Sequence, residues 1–231
     1  MSDGRTFIVD ERSGGVVPEN GARQSGGFME PCSDTVYDGI DVSQWQEDID
    51  WQQVARTSTH IVYIRVANGA KIDYNFEKNY EGAKAAGLKV GFYYFVSAND
   101  PAEAREQARF FWNLVKDKDF NCRLVGDYEE FGNHTNAEIN AIAKAFFDEL
   151  EGLAGHRPML YTSHISAGDK FDYDMTYYPI WIAHYHSPGD LPFHPGLWNC
   201  WYGYQYTEKG QIPGIHTDVD KNLFTDGVII R

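Results

Sequence analysis

Four acidic side chains sit where strand-like segments run into polar loops. Asp41 lies in GIDVSQW, Asp127 and Glu129 in GDYEE, and Asp220 in DVDKN near the C-terminus. Side chains of an extended chain alternate between faces, so Asp127 and Glu129 project together while Tyr128 turns away. Acids converging on one pocket suit cleavage of a glycosidic bond. One carboxyl stays protonated and donates to the leaving oxygen; another stays ionised beside an oxocarbenium-like transition state. Like charges nearby raise the pKa of one member, which turns a Glu into a usable acid near neutral pH. Glu129, with the longer reach, fits the donor, and Asp127 fits the stabilising partner. An isolated Asp-x-Glu is more often a solvated pair or a cap. The weight here lies in three separate acid sites, each at an inferred strand end.

For those acids to meet, the strands that carry them must close on one another. YDGIDVS (37–43), HIVYIRV (60–66), LKVGFYYFV (88–96), RLVGDYEE (123–130) and PMLYTS (158–163) read as strands. Helical signals lie between them. Asp50 can cap a short helix through WQQVA, and a helix over about 75–86 closes on Gly87. Asp100-Pro101 supplies an N-cap and an N1 proline, with Ala104, Ala108, Phe111 and Val115 at helical spacing behind it. Thr135 and Glu138 form a capping box that opens a helix with Ile139, Ile142, Ala143, Phe146, Phe147 and Leu150 on one face. After PMLYTS the helical signals stop, and YPIWIAHY (178–185) and WYGYQYT (201–207) follow as bare strands around a Pro/Gly/His loop. Four to five alternations predict parallel βαβ units. A barrel begun by βα units and closed by bare strands fits a chain this short better than a full eightfold βα barrel.

The 231 residues suit one domain with at most a short appendage. Residues 1–36, rich in Gly, Ser, Glu and Arg, read as a flexible or docking N-terminal arm, and residues 37–231 as the barrel domain. A net charge of −14 leaves no basic footprint for nucleic acid and disfavours anionic membranes. An anionic polymer would have to be held by local contacts. Aromatic residues reach 15%, a weak pointer to rings that stack on sugars, with core packing the equal alternative. Cys32, Cys122 and Cys200 are odd in number and lack metal-ligand spacing, so each reads as a free thiol. The N-terminus lacks an apolar signal-peptide core, and no run of about 18 apolar residues could span a membrane. The expectation is a chain synthesised in the cytoplasm without a signal peptide and without membrane insertion.

Taken in order, these segments resemble glycoside hydrolase family 25, the Chalaropsis-type lysozymes found in fungi, bacteria and phage endolysins. The resemblance covers about residues 37–226. It is carried by GIDVSQWQ (39–46), IDW (49–51), YIRVANG (63–69), D-x-x-F (73–76), AAGLKVGFYYF (85–95), GDYEE (126–130), YTS (161–163), WIAHY (181–185) and the closing YQYT…IPGI…DVDKNLF. It implies an α/β fold, an irregular TIM-like barrel of about five βα units plus three extra strands. It also implies a muramidase that needs no cofactor and cuts the β-1,4 bond between N-acetylmuramic acid and N-acetylglucosamine in peptidoglycan glycan strands; a monomer is expected, with the oligomeric state left open by the sequence. Glu129 then matches the general acid and Asp127 its partner, either stabilising charge or orienting the substrate's acetamido group. Asp41 matches the first-strand Asp, and Asp220 the Asp of a closing D-x-N; Asp218 ranks below it. Retention of configuration is implied, with covalent and substrate-assisted routes both open. Tyr204-Gln205-Tyr206 replaces a W-Q-Y run common in the family, and Tyr93-Tyr94-Phe95 replaces YHF, so altered subsite contacts with intact chemistry are expected. The arm has no counterpart in the family's catalytic core. Action on the wall then follows release or delivery by phage lysis, a virion or a secretion system, with residues 1–36 as the segment for a docking partner.

Arg65, Tyr93, Tyr161, Trp181, Tyr185 and Gln205 fall near strand ends. They are expected to bind substrate, the aromatics by stacking and Arg65 and Gln205 by hydrogen bonds; barrel core and rim packing is the alternative. His184-Tyr185-His186 has HxH spacing, yet no third ligand follows at sensible spacing, so no metal is expected. Asn133-His134-Thr135 matches a glycosylation sequon, read as chance without secretion. The rival reading is a non-catalytic peptidoglycan-binding or virion component on the same barrel, against which retention of all four carboxylates speaks. A chitinase-like barrel would carry a D-x-x-D-x-D-x-E run, which is absent.

Overall fold

The computed structural model describes residues 27–185 and 191–230, together with the backbone of two short paired strands, Phe7–Val9 and Val16–Pro18. Eight strands close a barrel: β1 (Val36–Val42), β2 (Ile61–Asn68), β3 (Lys89–Phe95), β4 (Val125–Asp127), β5 (Met159–Ser163), β6 (Ile180–Ala183), β7 (Gly203–Gly210) and β8 (Val219–Thr225). Neighbours from β1 to β7 pair parallel. β8 runs the other way, antiparallel to both β7 and β1, and so closes the ring.

One helix follows each of the first five strands: α1 (Trp51–Val54), α2 (Phe76–Ala85), α3 (Pro101–Val115), α4 (Asn136–Ala154) and α5 (His164–Asp169). The N-terminal N–H groups of a helix have no partner within it. Here side chains supply several. Asp50 accepts from the amides of Gln52 and Gln53, Asp100 from those of Ala102 and Glu103, and Thr135 with Glu138 forms the expected reciprocal box. α5 and a 3₁₀ turn at Tyr173–Tyr177 correct the expectation that helical structure ends after β5. Six residues are too few to show a period, and the signal that does mark α5 is a cap, Ser163 accepting from the Ser166 amide.

Two apolar layers result. Ile139, Ile142, Phe146 and Leu150 of α4, with Ala104, Ala108 and Phe111 of α3, are buried in one core with outward-facing strand residues such as Val90 and Phe92. A second layer, which includes Tyr63, Trp181 and Phe224, fills the inside of the barrel. Those three rings contact one another with centroids 5.0–5.1 Å apart.

Residues 27–35, counted with the arm on sequence grounds, lie against the barrel domain. Met29 is fully buried; its N–H donates to the Pro192 carbonyl at 2.8 Å, and its own carbonyl accepts from Trp201 Nε1 at 2.9 Å. Phe28 stacks on Phe193, and Glu30–Pro31 pairs parallel with Cys200–Trp201. Cys32 and Cys200 form a disulfide across 168 residues, so the reading of both as free thiols is overturned. An odd count allows one bridge plus one thiol, and only the fold brings these two together. Cys122 is the buried free thiol, its pKa pushed up to about 12 by burial. The arm's remaining residues, and His186, lie outside the described ones apart from the two short strands.

Candidate active site

The C-terminal ends of the parallel strands converge on a cleft of about 600 Å³. Asp41 comes from the end of β1, Arg65 from β2, Tyr93 from β3, Asp127 from the last position of β4, Tyr161 from β5, Trp181 from β6 and Gln205 from β7. Asp220 joins them from near the beginning of β8, because β8 is antiparallel and starts where its neighbours end. Glu129 and Tyr185 come from the loops after β4 and β6. All ten residues expected from the sequence therefore line one cleft. β4 stops at Asp127, so Glu129 is not a strand residue. The alternation persists all the same. Tyr128 turns into the core against Phe131 and Phe171, at centroid distances of 5.0 and 6.3 Å, and Glu129 returns to the cleft.

Asp41 sits at the centre of a hydrogen-bond network. Its Oδ2 accepts from Gln205 Nε2 at 2.8 Å and from Asn222 Nδ2 at 2.9 Å. Asn222 is oriented by Trp181, whose Nε1 donates to its Oδ1 at 2.9 Å. Gln205 is oriented by the hydroxyls of Tyr161 and Tyr185. Arg65 is tied by Nε to Asp73 at 2.9 Å and contributes positive charge toward Asp41 and Asp127.

Five carboxylates line the cleft against that one guanidinium: Asp41, Asp127, Glu129, Glu208 and Asp220. Crowding and burial therefore set the protonation of Asp41, Asp127, Glu129 and Asp220. Burial lifts the Asp41 carboxyl, while the amides of Asn222 and Gln205 act in the opposite direction. Asp220 is pushed up to about 9 by burial and by the Asp41 charge; the two carboxyls are hydrogen-bonded, which requires a proton between them. Burial, then the charges of Glu129 and Asp41, hold Asp127 well above the carboxylate range. Its Oδ1 has no hydrogen-bond partner. Glu129 opens to solvent at the cleft wall, yet partial withdrawal from water, followed by the charges of Asp41 and Glu130, raises it too. Coupled acids of this kind share their protons as a set, and acid-assisted cleavage of a glycosidic bond needs one of them to hold a proton.

The sequence matches the family model for glycosyl hydrolases family 25 over residues 40–215. The chain belongs to this family. It is accordingly a glycoside hydrolase, on a mixed α/β barrel of eight strands. Similar relatives include an uncharacterized protein, YegX, of Escherichia coli K12, 31% identical over 204 residues that cover 86% of this chain and 72% of the relative. An autolytic lysozyme of Clostridium acetobutylicum is 28% identical over 83% of this chain and 57% of its own length. Among solved structures, the bacterial lysozyme of Streptomyces coelicolor superposes with a TM-score of 0.71 at 23% identity, covering 83% of this chain and 93% of that one.

Several residues at the family 25 site escape the sequence reading. Asn222, in the quoted DKN, holds Asp41 as directly as Gln205 does, but an amide carries no acid–base signal of its own. Trp45 and Ile165 stand on the cleft wall, each 67% exposed, and such large exposed apolar groups offer stacking surface for a sugar. Glu208, His164 and His184 also line it. The His184 ring stacks on His164 at 4.4 Å, and its Nδ1 accepts from the Phe193 N–H. Among the described residues, no group of three or more His, Cys, Asp or Glu is arranged to hold a metal ion, and no helix is long and apolar enough to cross a membrane.

Proposed function

We propose that this protein is a muramidase, cleaving the β-1,4 bond between N-acetylmuramic acid and N-acetylglucosamine in peptidoglycan. Glu129 donates a proton to the leaving oxygen. Asp127 orients the neighbouring acetamido group or stabilises the developing positive charge. One observation carries the reading: Asp127 is buried in a sugar-sized cleft with Oδ1 unpartnered, beside a partly exposed Glu129. A buried carboxylate oxygen without a donor is costly. An acetamido N–H reaching Oδ1 would supply the donor, favour the Asp127 anion and leave the shared proton on Glu129. Asp41 and Asp220 complete the acid set, and the aromatic rim offers stacking surface.

The wall as working place is supported by the relatives' autolytic and lysozyme names and by the Cys32–Cys200 disulfide, since such bonds persist outside reducing compartments. Residues 1–36 are proposed as the segment for docking or delivery, of which 27–35 lie against the barrel. The test incubates the protein and its Glu129→Gln variant with insoluble peptidoglycan, reduces the released fragments with borohydride and weighs them. Fragments ending in reduced muramic acid are expected from the wild type, with a loss of roughly 10²–10⁴-fold in the variant. Fragments ending in reduced glucosamine would overturn the bond assignment, and no release with wall binding intact would overturn the hydrolase role.

A further inference from the structure

Gln205 is expected from the sequence to hydrogen-bond the sugar, but its side chain is committed elsewhere. It is 2% exposed. Its carbonyl oxygen accepts from Tyr161 Oη at 2.7 Å and from Tyr185 Oη at 2.6 Å. Two lone pairs are thereby used, leaving no acceptor for a hydroxyl of the substrate. With Oε1 turned to the two hydroxyls, the amide nitrogen faces Asp41, whose Oδ2 can only accept once ionised. Nε2 donates to that oxygen at 2.8 Å. Asn222 meets the same oxygen, locked in turn by Trp181.

We propose that Gln205 is a positioning residue acting through Asp41. Clamped by Tyr161 and Tyr185, its amide keeps Asp41 ionised, so the proton of the Asp41–Asp220 pair rests on Asp220, which donates it to Asp41 at the cleft wall. The proposal rests on the glycosidase reading and adds a division of labour to it: Asp127 and Glu129 act at the bond, while Asp41 and Asp220 form a second, proton-sharing pair. The charged and titratable groups facing Asp41 are Asp220 on β8, Arg65 on β2, Tyr93 on β3, Asp127 and Glu129 at and after β4, Tyr161 on β5 and Tyr185 after β6. Among these, Arg65 is the cation favouring the Asp41 anion, and it is shared with Asp73. The amide donors from Asn222 and Gln205 do the remaining stabilising.

The test measures kcat, KM and the pH profile of kcat on soluble glycan fragments for wild type, Gln205→Leu and the double variant Tyr161→Phe/Tyr185→Phe. Losing an N–H donor to a carboxylate is expected to lower kcat roughly ten- to a hundredfold. KM stays within about twofold, the signature of a contact that does not touch bound substrate. The acid-side limb moves to higher pH, because the Asp41 anion has lost a donor and the pair takes its second proton earlier. The double variant keeps Gln205 and shows the same limb shift with a smaller loss of kcat, so the test survives poor folding of either protein. A raised KM with kcat and limb unchanged would make Gln205 a sugar contact and overturn the proposal. An equal loss at every pH, without limb movement, would reduce it to a packing role and overturn it as well. An inactive wild type would instead overturn the glycosidase reading, an outcome separate from an active wild type with the wrong variant signature.

Discussion

Asp220 and Asp41 face each other as cross-strand partners on the antiparallel pair β8 and β1. Like charges directly opposite on a sheet destabilise it, and a proton shared between them relieves that repulsion. The same pairing that builds a reactive site therefore makes folding pH-dependent. Asp220 is raised to about 9 in the folded chain, far above its unfolded value. A carboxyl raised by folding contributes its full share of stability below the unfolded pKa and loses it as pH climbs through the folded one. Asp220→Asn holds that position neutral at every pH. Its melting temperature is expected to match the wild type near pH 4 and to exceed it increasingly toward pH 9. A gain of several degrees is the scale, since about 1 kcal/mol moves the midpoint of a chain this long by roughly 2–4 °C. Thermal unfolding of both proteins across that range checks it, and a constant difference at all pH values would assign the effect to packing.

Glu130 is exposed and lies outside the residues that line the cleft, yet its charge helps to hold Glu129 up. If Glu129 is the acid, activity falls on the alkaline side as Glu129 loses its proton. Glu130→Gln removes one repelling charge, which eases that ionisation. The alkaline limb of kcat/KM is expected to move to lower pH, with the rate at the optimum nearly unchanged. Added salt should shrink the difference between the two proteins, because an exposed charge acts through screened solvent. A limb that does not move would assign the alkaline fall to another group, with Asp220 the next in line.

The barrel is legible in this sequence because its parts announce themselves locally. Asp100-Pro101, the Thr135–Glu138 box and Gly87 each mark a helix end through backbone chemistry that acts within a few residues. The acids are legible because strand ends place them, and Asp220 falls into register once β8 is assigned to close on β1. What escapes depends on contacts between distant segments. Nothing near Cys32 announces Cys200. Gln205 reads as a sugar ligand until Tyr161 and Tyr185 are found on its carbonyl, and Asn222 passes beside Asp220 as the lesser part of a motif. Short α5 escapes for a different reason, since six residues cannot display a period.

The Cys32–Cys200 bridge fastens residues 27–32 across the segment that leads into β7. Phe193, which donates its N–H to His184 on the cleft wall, belongs to that same docked region through its stack on Phe28. Reduction is expected to lower the melting temperature by roughly 5–15 °C, given about 2–4 kcal/mol for a typical bridge and the scaling for a chain of this length. Cys32→Ala/Cys200→Ala should melt at the reduced value and no longer respond to reductant. Before reduction a thiol reagent should label nothing in the native protein, because Cys122 is buried, and afterwards it should label two sites. Labelling of Cys32 and Cys200 without reductant would show that the bridge does not form.

Gly203 tests how tightly the inside of the barrel is filled. A Cβ built there would lie 2.7 Å from the Trp181 ring and 2.9 Å from the Phe224 ring. Both rings are buried, and both contact Tyr63, so neither can retreat without moving the other. Adding one methyl to such a packed interior costs about 1–3 kcal/mol. Gly203→Ala is therefore expected to melt several degrees lower. The effect should also reach the active site, because Trp181 Nε1 orients Asn222, and Asn222 donates to Asp41. A displaced Trp181 loosens that donor, so kcat should fall while KM changes little, and the acid limb should rise as in Gln205→Leu. Stability lost with the pH profile unchanged would mean that Trp181 packs the barrel without tuning Asp41, and the route from Gly203 to the carboxylates would end at the ring.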